Sequence, residues 1–195
     1  LVEKRLVPAK DGWARFVLDY GAGFGDDAQA HGWHAYDPNF SNISELPTWP
    51  AKFDYIVCIY VLCVCTRDEI VDIMGDILRR LRPGGVAYFA VRRDGGRQLG
   101  VIERAGGKRT YQSDVYLDLP RVLSTYGFDI YEWRKDAGRT NDIHEECARA
   151  EASALIKFVG TEGCGIQPED VGKEEEDDQY AHVQPHSGRA SHMPD

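Results

Sequence analysis

No stretch of this sequence approaches the roughly 18 consecutive apolar residues that a membrane-spanning helix requires, so a helical membrane protein is excluded. Leu1–Asp11 holds three basic residues but no apolar core of a secretory leader, and a cytoplasmic location is expected. Cysteine is scarce: the five are odd in number, and Cys58, Cys63 and Cys65 fall in an apolar stretch that should be buried. That pattern argues against a disulfide framework and for reduced thiols. Cys63-x-Cys65, even with His31 or His34 nearby, lacks the matching second pair of a metal site, and Cys147 and Cys164 with His144 offer no better set. No metal is expected. With 195 residues and no internal repeat, the chain has room for one domain with a core but not for two substantial ones.

Charge is short of balance, but unevenly. Residues 166–195 carry eight acids against two bases, which accounts for −6 of the formal −9 and leaves about −3 for the remainder. The segment Lys173-Glu-Glu-Glu-Asp-Asp178 and the His, Ser and Pro after it are too polar to bury a core. We therefore expect a domain over residues 1–165 and a disordered acidic tail over 166–195. A nearly balanced body can still carry a local basic patch, and Arg92 to Arg109 is one: Arg92, Arg93, Arg97, Arg104, Lys108 and Arg109 stand against Asp94 and Glu103.

The densest signal is Val17 to Asn39, VLDYGAGFGDDAQAHGWHAYDPN. A short apolar run, Phe16 to Leu18, meets Asp19, Gly21, Gly23 and Gly25 at alternating positions, which ends a strand in a tight turn. Glycine suits such a turn because it accepts positive φ and lets a ligand approach the backbone. Asp26 and Asp27 open a helix, Gly32 interrupts it, and His34 to Tyr36 begins a second strand that ends at Asp37. The spacing is tighter than the dinucleotide fingerprint G-x-G-x-x-G.

Further along, Phe53-Asp-Tyr-Ile-Val-Cys-Ile59 reads as a parallel strand buried on both faces. Thr66-Arg-Asp-Glu69 is a capping box, and Ile70, Ile73, Met74, Ile77, Leu78 and Leu81 form one apolar helical stripe. Arg79, Arg80 and Arg82 suit the negative end of that helix. Pro83-Gly84-Gly85 stops it, and Val86 to Val91 supplies the next strand. Leu117 to Tyr126, with Pro120 near its start and Gly127 past its end, predicts a helix. Phe128 to Trp133 and Ala154 to Val159 predict two strands of a closing hairpin, joined through Asn141 to Ser153, a charged connection with helical character that holds His144.

The pattern D-x-G-x-G-x-G at Asp19 to Gly25, the acid at Asp37, F-D-x-I-V at Phe53 to Val57 and L-R-P-G-G-V-A-Y-F-A-V at Leu81 to Val91 resemble class I S-adenosylmethionine-dependent methyltransferases. The glycine-turn start and Arg109-Thr-Tyr-Gln112 are similar to bacterial and phage members of that family. The resemblance implies a doubly wound, mostly parallel α/β sheet, the Rossmann-like methyltransferase fold, with a C-terminal antiparallel hairpin. It is a reduced version: Gly25 to Asp37 is shorter than the family's usual spacing by over one helical turn, and Pro38 to Lys52, with Pro47, Trp49 and Pro50, has no room for the usual third-strand unit. The resemblance further implies S-adenosylmethionine as cofactor, with Gly21, Gly23 and Gly25 against the methionine part, Asp19 orienting its amino group and Asp37 holding the ribose.

The acceptor is less legible. Tyr60, at the end of the Phe53 strand, and Arg92 and Arg93, after the Val86 strand, are the candidate substrate-facing residues, and the basic loop suggests an anionic partner such as a nucleic acid. The strand end Cys58-Ile-Tyr-Val-Leu62 lacks the Asp/Asn-Pro-Pro-Tyr/Phe motif of amino-methylating DNA enzymes. Two other classes share the fold: a nicotinamide-dependent oxidoreductase, which would want G-x-G-x-x-G and a hydride-site pair, and a non-catalytic cofactor-binding protein.

Overall fold

The computed structural model describes residues 6–7, 16–46, 52–93, 100–103, 109–138 and 143–157. The elements are β1 (Val17–Tyr20), α1 (Asp26–His31), β2 (His34–Tyr36), β3 (Phe53–Ile59), a 3-10 turn (Leu62–Val64), α2 (Arg67–Arg80), β4 (Leu81–Arg92), β5 (Gly100–Glu103), β6 (Arg109–Gln112), β7 (Arg121–Ser124), β8 (Phe128–Arg134) and α3 (Glu145–Leu155). Six strands form one sheet in the order β2-β1-β3-β4-β8-β7, and β5 and β6 form a separate ribbon. The pairs β1·β2, β1·β3 and β3·β4 are parallel, whereas β8 runs antiparallel to both β4 and β7.

Alternation along the strands divides the core in two. Leu18, Tyr20, Ile56, Cys58, Ala87, Phe89 and Val91 pack on one face with Ile70, Met74, Ile77 and Leu78 of α2. Val17, Val57, Val86, Tyr88 and Ala90 face the other side, where Val7 of the lead-in is also buried. Burial on both faces is why β3 and β4 read as nearly continuous apolar runs.

Local signals set α1 and α2. Gly25 and Gly32 flank α1 with φ of 79° and 65°, leaving a helix of 6 residues. In α2, the Thr66 amide donates to Glu69 Oε2 at 2.6 Å while Thr66 Oγ1 accepts from the Glu69 amide at 3.4 Å, completing the capping box. Its far end is closed by Lys135, a buried ammonium that donates to the carbonyls of Leu78 (3.2 Å) and Leu81 (2.8 Å). The arginines there are paired: Arg79 and Arg80 with Asp76, and Arg82 with Asp54.

Three expectations are corrected. Leu117–Tyr126 is not a helix: Arg121–Ser124 is β7, and Leu117 makes an isolated bridge to Ile156. Thr125 and Phe128 close a tight turn, the Thr125 amide donating to the Phe128 carbonyl at 2.9 Å, so Gly127 serves a hairpin rather than a helix end. Ala154 and Leu155 end α3 instead of opening a strand, and the closing hairpin is β7–β8. Small residues explain it: Ala148 and Ala152, fully buried, lay α3 across α2 at Gly75, where a Cβ would sit 3.4 Å from the Arg149 nitrogen. Finally, the glycine-rich stretch after Arg92 folds back on itself as the antiparallel ribbon β5–β6. Pro47–Pro50, Arg97, Arg104, Lys108, Phe158–Val159 and the tail 166–195 lie outside the described residues.

Candidate active site

The glycine turn joins the carboxyl end of β1 to α1, and its geometry explains its composition. Gly21, Gly23 and Gly25 have φ of 78°, 58° and 79°. At Gly21 the need is double, because a Cβ would lie 2.3 Å from Val61 Cγ2. The amides of Gly21 and Ala22 both donate to the Tyr36 carbonyl, at 2.7 and 3.1 Å, which ties the turn to the end of β2. At Gly23 nothing lies within 4 Å of a built Cβ, so this side of the turn is open.

Asp37 follows β2 and is buried, and it clasps the turn. Its Oδ2 accepts from the Gly23 amide at 3.0 Å, and its Oδ1 accepts from the Asn39 amide at 2.9 Å and from Asn39 Nδ2 at 3.2 Å. A carboxylate offers about four lone-pair positions. One is left on Oδ2, and a second opens only if the Asn39 side chain turns away.

Asp19 stands on β1 beneath the turn, 5% exposed. Burial, with Asp27 and Asp37 adding like charge, pushes its carboxyl up to about 7. Among the described residues no hydrogen-bond donor reaches it.

A cleft of about 570 Å³ opens at the carboxyl ends of β1, β2 and β3, bounded by Gly21, Asp37, Asn39, Tyr60, Cys65 and Glu69 among others. This is where open α/β sheets bind ligands, and its size suits a small molecule. The charged residues that line it are Asp37, Glu69 and Asp72, all acidic. Such a lining favours a cation. Cys65 is raised to about 12 by burial, Glu69 and Cys63, so it stands as a neutral thiol.

Tyr60 lines this cleft with φ of 61°, the one described non-glycine residue with positive φ. Its amide donates to the Ala90 carbonyl at 2.9 Å and its carbonyl accepts from Cys63 Sγ at 3.1 Å, which hold the strained turn. Its ring meets Phe128 edge-on at 6.4 Å, and the Arg92 guanidinium lies over it at 5.2 Å. Arg93 departs from its expected role. Its Nε donates to Asp129 at 2.7 Å, its Nη2 to the Val115 carbonyl and the Tyr131 hydroxyl, and its guanidinium stacks on Tyr116 at 4.1 Å. A fork so fully engaged supports the chain returning from β6 and is not directed at substrate.

The structure thus brings Gly21, Asp37 and Tyr60 to the cleft wall, keeps Asp19, Gly23 and Gly25 on the strand and turn that adjoin it, sets Arg92 beside Tyr60, and turns Arg93 away. Val61, which follows Tyr60 at the strand end, also lines the cleft, whereas Cys65 and Glu69 were not anticipated as part of it. Glu69 was visible in the sequence only as a capping residue, and the closeness of Val61 to Gly21 shows only in the fold.

Residues 16–89 match a family model described as a methyltransferase domain. No curated protein matches. Solved structures that are similar include an S-adenosylmethionine-dependent methyltransferase of Thermotoga maritima described as a possible histamine N-methyltransferase (14% identity, 69% of this chain and 86% of that one, TM-score 0.44). Others are DhpI in complex with SAH (14%, 63% and 77%, 0.44) and the methyltransferase SibL in its apo form (12%, 63% and 50%, 0.38), of which this chain spans half. With scores this low, none of them bears on the acceptor. The segment that matches the methyltransferase-domain model contains the glycine turn, Asp37, Tyr60 and the residues that line the cleft.

Proposed function

We propose that the chain moves the methyl group of S-adenosylmethionine to an anionic acceptor, a nucleic acid or another phosphate-bearing molecule. The observation that carries the anionic acceptor is Arg92. It sits over the Tyr60 ring at the end of β4, and among the described residues no carboxylate pairs with it, whereas Arg93 and Arg121 beside it both pair with Asp129.

When bound, S-adenosylmethionine supplies a methyl group made electrophilic by its sulfonium, ready for in-line displacement. The chain's own residues hold and orient. Gly21, Gly23 and Gly25 let the methionine part approach the backbone, and the open side of Gly23 fits that role. Asp19, buried and without a donor among the described residues, suits the amino group, and Asp37 suits the ribose through its remaining lone pairs. The acidic lining suits a cationic donor. With so activated a methyl group, positioning and exclusion of water are the main demands on the protein, and Tyr60 and Arg92 hold the acceptor. Cys58, Cys63, Cys65 and Cys147 form no disulfide, in keeping with a cytoplasmic enzyme.

The test is transfer of labelled methyl from S-adenosylmethionine to a panel of nucleic acids, nucleotides and neutral small molecules over a salt series. We expect labelling of an anionic acceptor that weakens as salt rises, and an Arg92→Ala variant that labels it poorly while binding S-adenosylhomocysteine within about threefold of wild type, since a lone surface cation contributes about 1 kcal/mol or less at a distance. Labelling of neutral acceptors only, or an Arg92→Ala variant equal to wild type at every salt concentration, would overturn the reading.

A further inference from the structure

Asp19 is a buried acid with neither a hydrogen-bond donor nor a cation among the described residues. The titratable groups that face it come from three elements. Asp27 stands in the first turn of α1, Asp37 follows β2, and Cys58 lies fully buried on β3. The first two are acids, and the thiol is itself held neutral by burial. An ionised Asp19 would therefore be a desolvated charge facing like charges, with nothing to offset it.

We infer that Asp19 is protonated in the ligand-free protein and that docking of the cofactor's ammonium group expels this proton, which makes cofactor exchange pH-dependent. The inference rests on the reading above that Asp19 faces the amino group of S-adenosylmethionine. The balance is simple: the Asp19 carboxyl loses its proton to solvent, the ammonium keeps its own three, and a carboxylate–ammonium pair replaces a neutral carboxyl. No redox partner or second ligand is involved.

The carboxyl's midpoint near 7 puts this exchange inside the physiological range. The sign follows from linkage: the ligand prefers the deprotonated form, so affinity rises with pH up to about 7 and then levels, falling about tenfold for each unit below it. The same device discriminates among ligands. A nucleoside that lacks the ammonium group gives Asp19 no reason to ionise, so its affinity does not follow this pH course.

Titration calorimetry of the full chain with S-adenosylhomocysteine tests it, run at several pH values between 5.5 and 8.5, each in two buffers of different ionisation enthalpy. We expect close to one proton released per site at the acid end, roughly half at pH 7 and almost none at the alkaline end. With 5′-methylthioadenosine, which has no ammonium, we expect no release. Asp19→Asn should bind S-adenosylhomocysteine without release at any pH. Should that variant fail to fold, Asp27→Asn serves: Asp27 is exposed on α1, and losing its charge should move the midpoint of release to lower pH. Wild-type binding without proton release, or equal release with 5′-methylthioadenosine, overturns the inference and leaves the methyltransferase reading intact. No binding of S-adenosylhomocysteine at any pH overturns both.

Discussion

Two buried aspartates, one in each half of the sheet, show how differently the halves are built. Asp19 on β1 is 5% exposed and Asp129 on β8 is 1% exposed, so both are removed from water. Burial pushes both upward. Asp129 nevertheless ends below the ordinary carboxylate range, because Ser124 donates to it at 2.6 Å and Arg93 at 2.7 Å, with Arg121 at 3.3 Å. Asp19 has no such partners among the described residues and rises to about 7. The antiparallel half satisfies its charges internally and acts as a support, while the parallel half leaves an acid unsatisfied beside a cleft. A group left in that state is available to a ligand.

The comparison breaks most severely at Asp129. Asp129→Ala leaves the Arg93 guanidinium, 14% exposed, without its buried partner. Breaking a buried pair by removing one member costs about 3–5 kcal/mol, and we expect a correspondingly large drop in the urea midpoint. A loss below about 1 kcal/mol, the range of exposed pairs, would mean that the network is not what fastens the β6 return to the sheet.

In the parallel half the effect should fall on binding instead. Asp37→Ala removes a charge-assisted contact, worth on the order of 1.5–3 kcal/mol, and should weaken S-adenosylhomocysteine by roughly tenfold or more. It also releases the Gly23 amide, so Gly23 should lose protection in hydrogen exchange. Unchanged affinity in calorimetry would remove Asp37 from the ribose site.

A third effect concerns the ligand-free protein alone. Asp19 has its folded midpoint near 7, above the value of about 3.9 expected when unfolded. The native state thus holds a proton that the unfolded chain has lost, and this group's contribution to stability falls as pH rises from about 4 to about 7. Asp19→Asn should flatten that part of the profile in urea melts between pH 5 and 8. Identical slopes for variant and wild type would show that Asp19 is already ionised.

The same division marks what could be read from the chain. In the parallel half each element carries its own local cue: glycines at 21, 23 and 25 for a turn with positive φ, Thr66 and Glu69 for a capping box, and apolar runs at Phe53–Ile59 and Val86–Val91 for strands buried on both faces. These depend on neighbours within a few residues. In the antiparallel half, Arg121–Ser124 is a strand because β8 lies beside it, and Pro120 and Gly127 mimic helix caps while serving a hairpin. Edge strands such as β7, with most of its residues exposed, carry little alternation to detect.

The site divides likewise. Asp19, the three glycines and Asp37 were legible because their spacing along strand, turn and strand is itself the geometry. Arg93 was misjudged because its charge was visible and its partners, Asp129, Tyr131 and Tyr116, were remote in sequence. The sequence by itself determined the glycine turn, the helix α2 with its caps and the central strands, since each follows from short-range sterics and hydrogen bonding. Only the tertiary structure decided that Gly21 must accommodate Val61, that Tyr60 is held at positive φ under Arg92, and that one buried aspartate is paired with arginines while the other has no partner among the described residues. Those outcomes depend on which long-range groups are brought within a few ångströms, and burial then magnifies every charge that is present or missing.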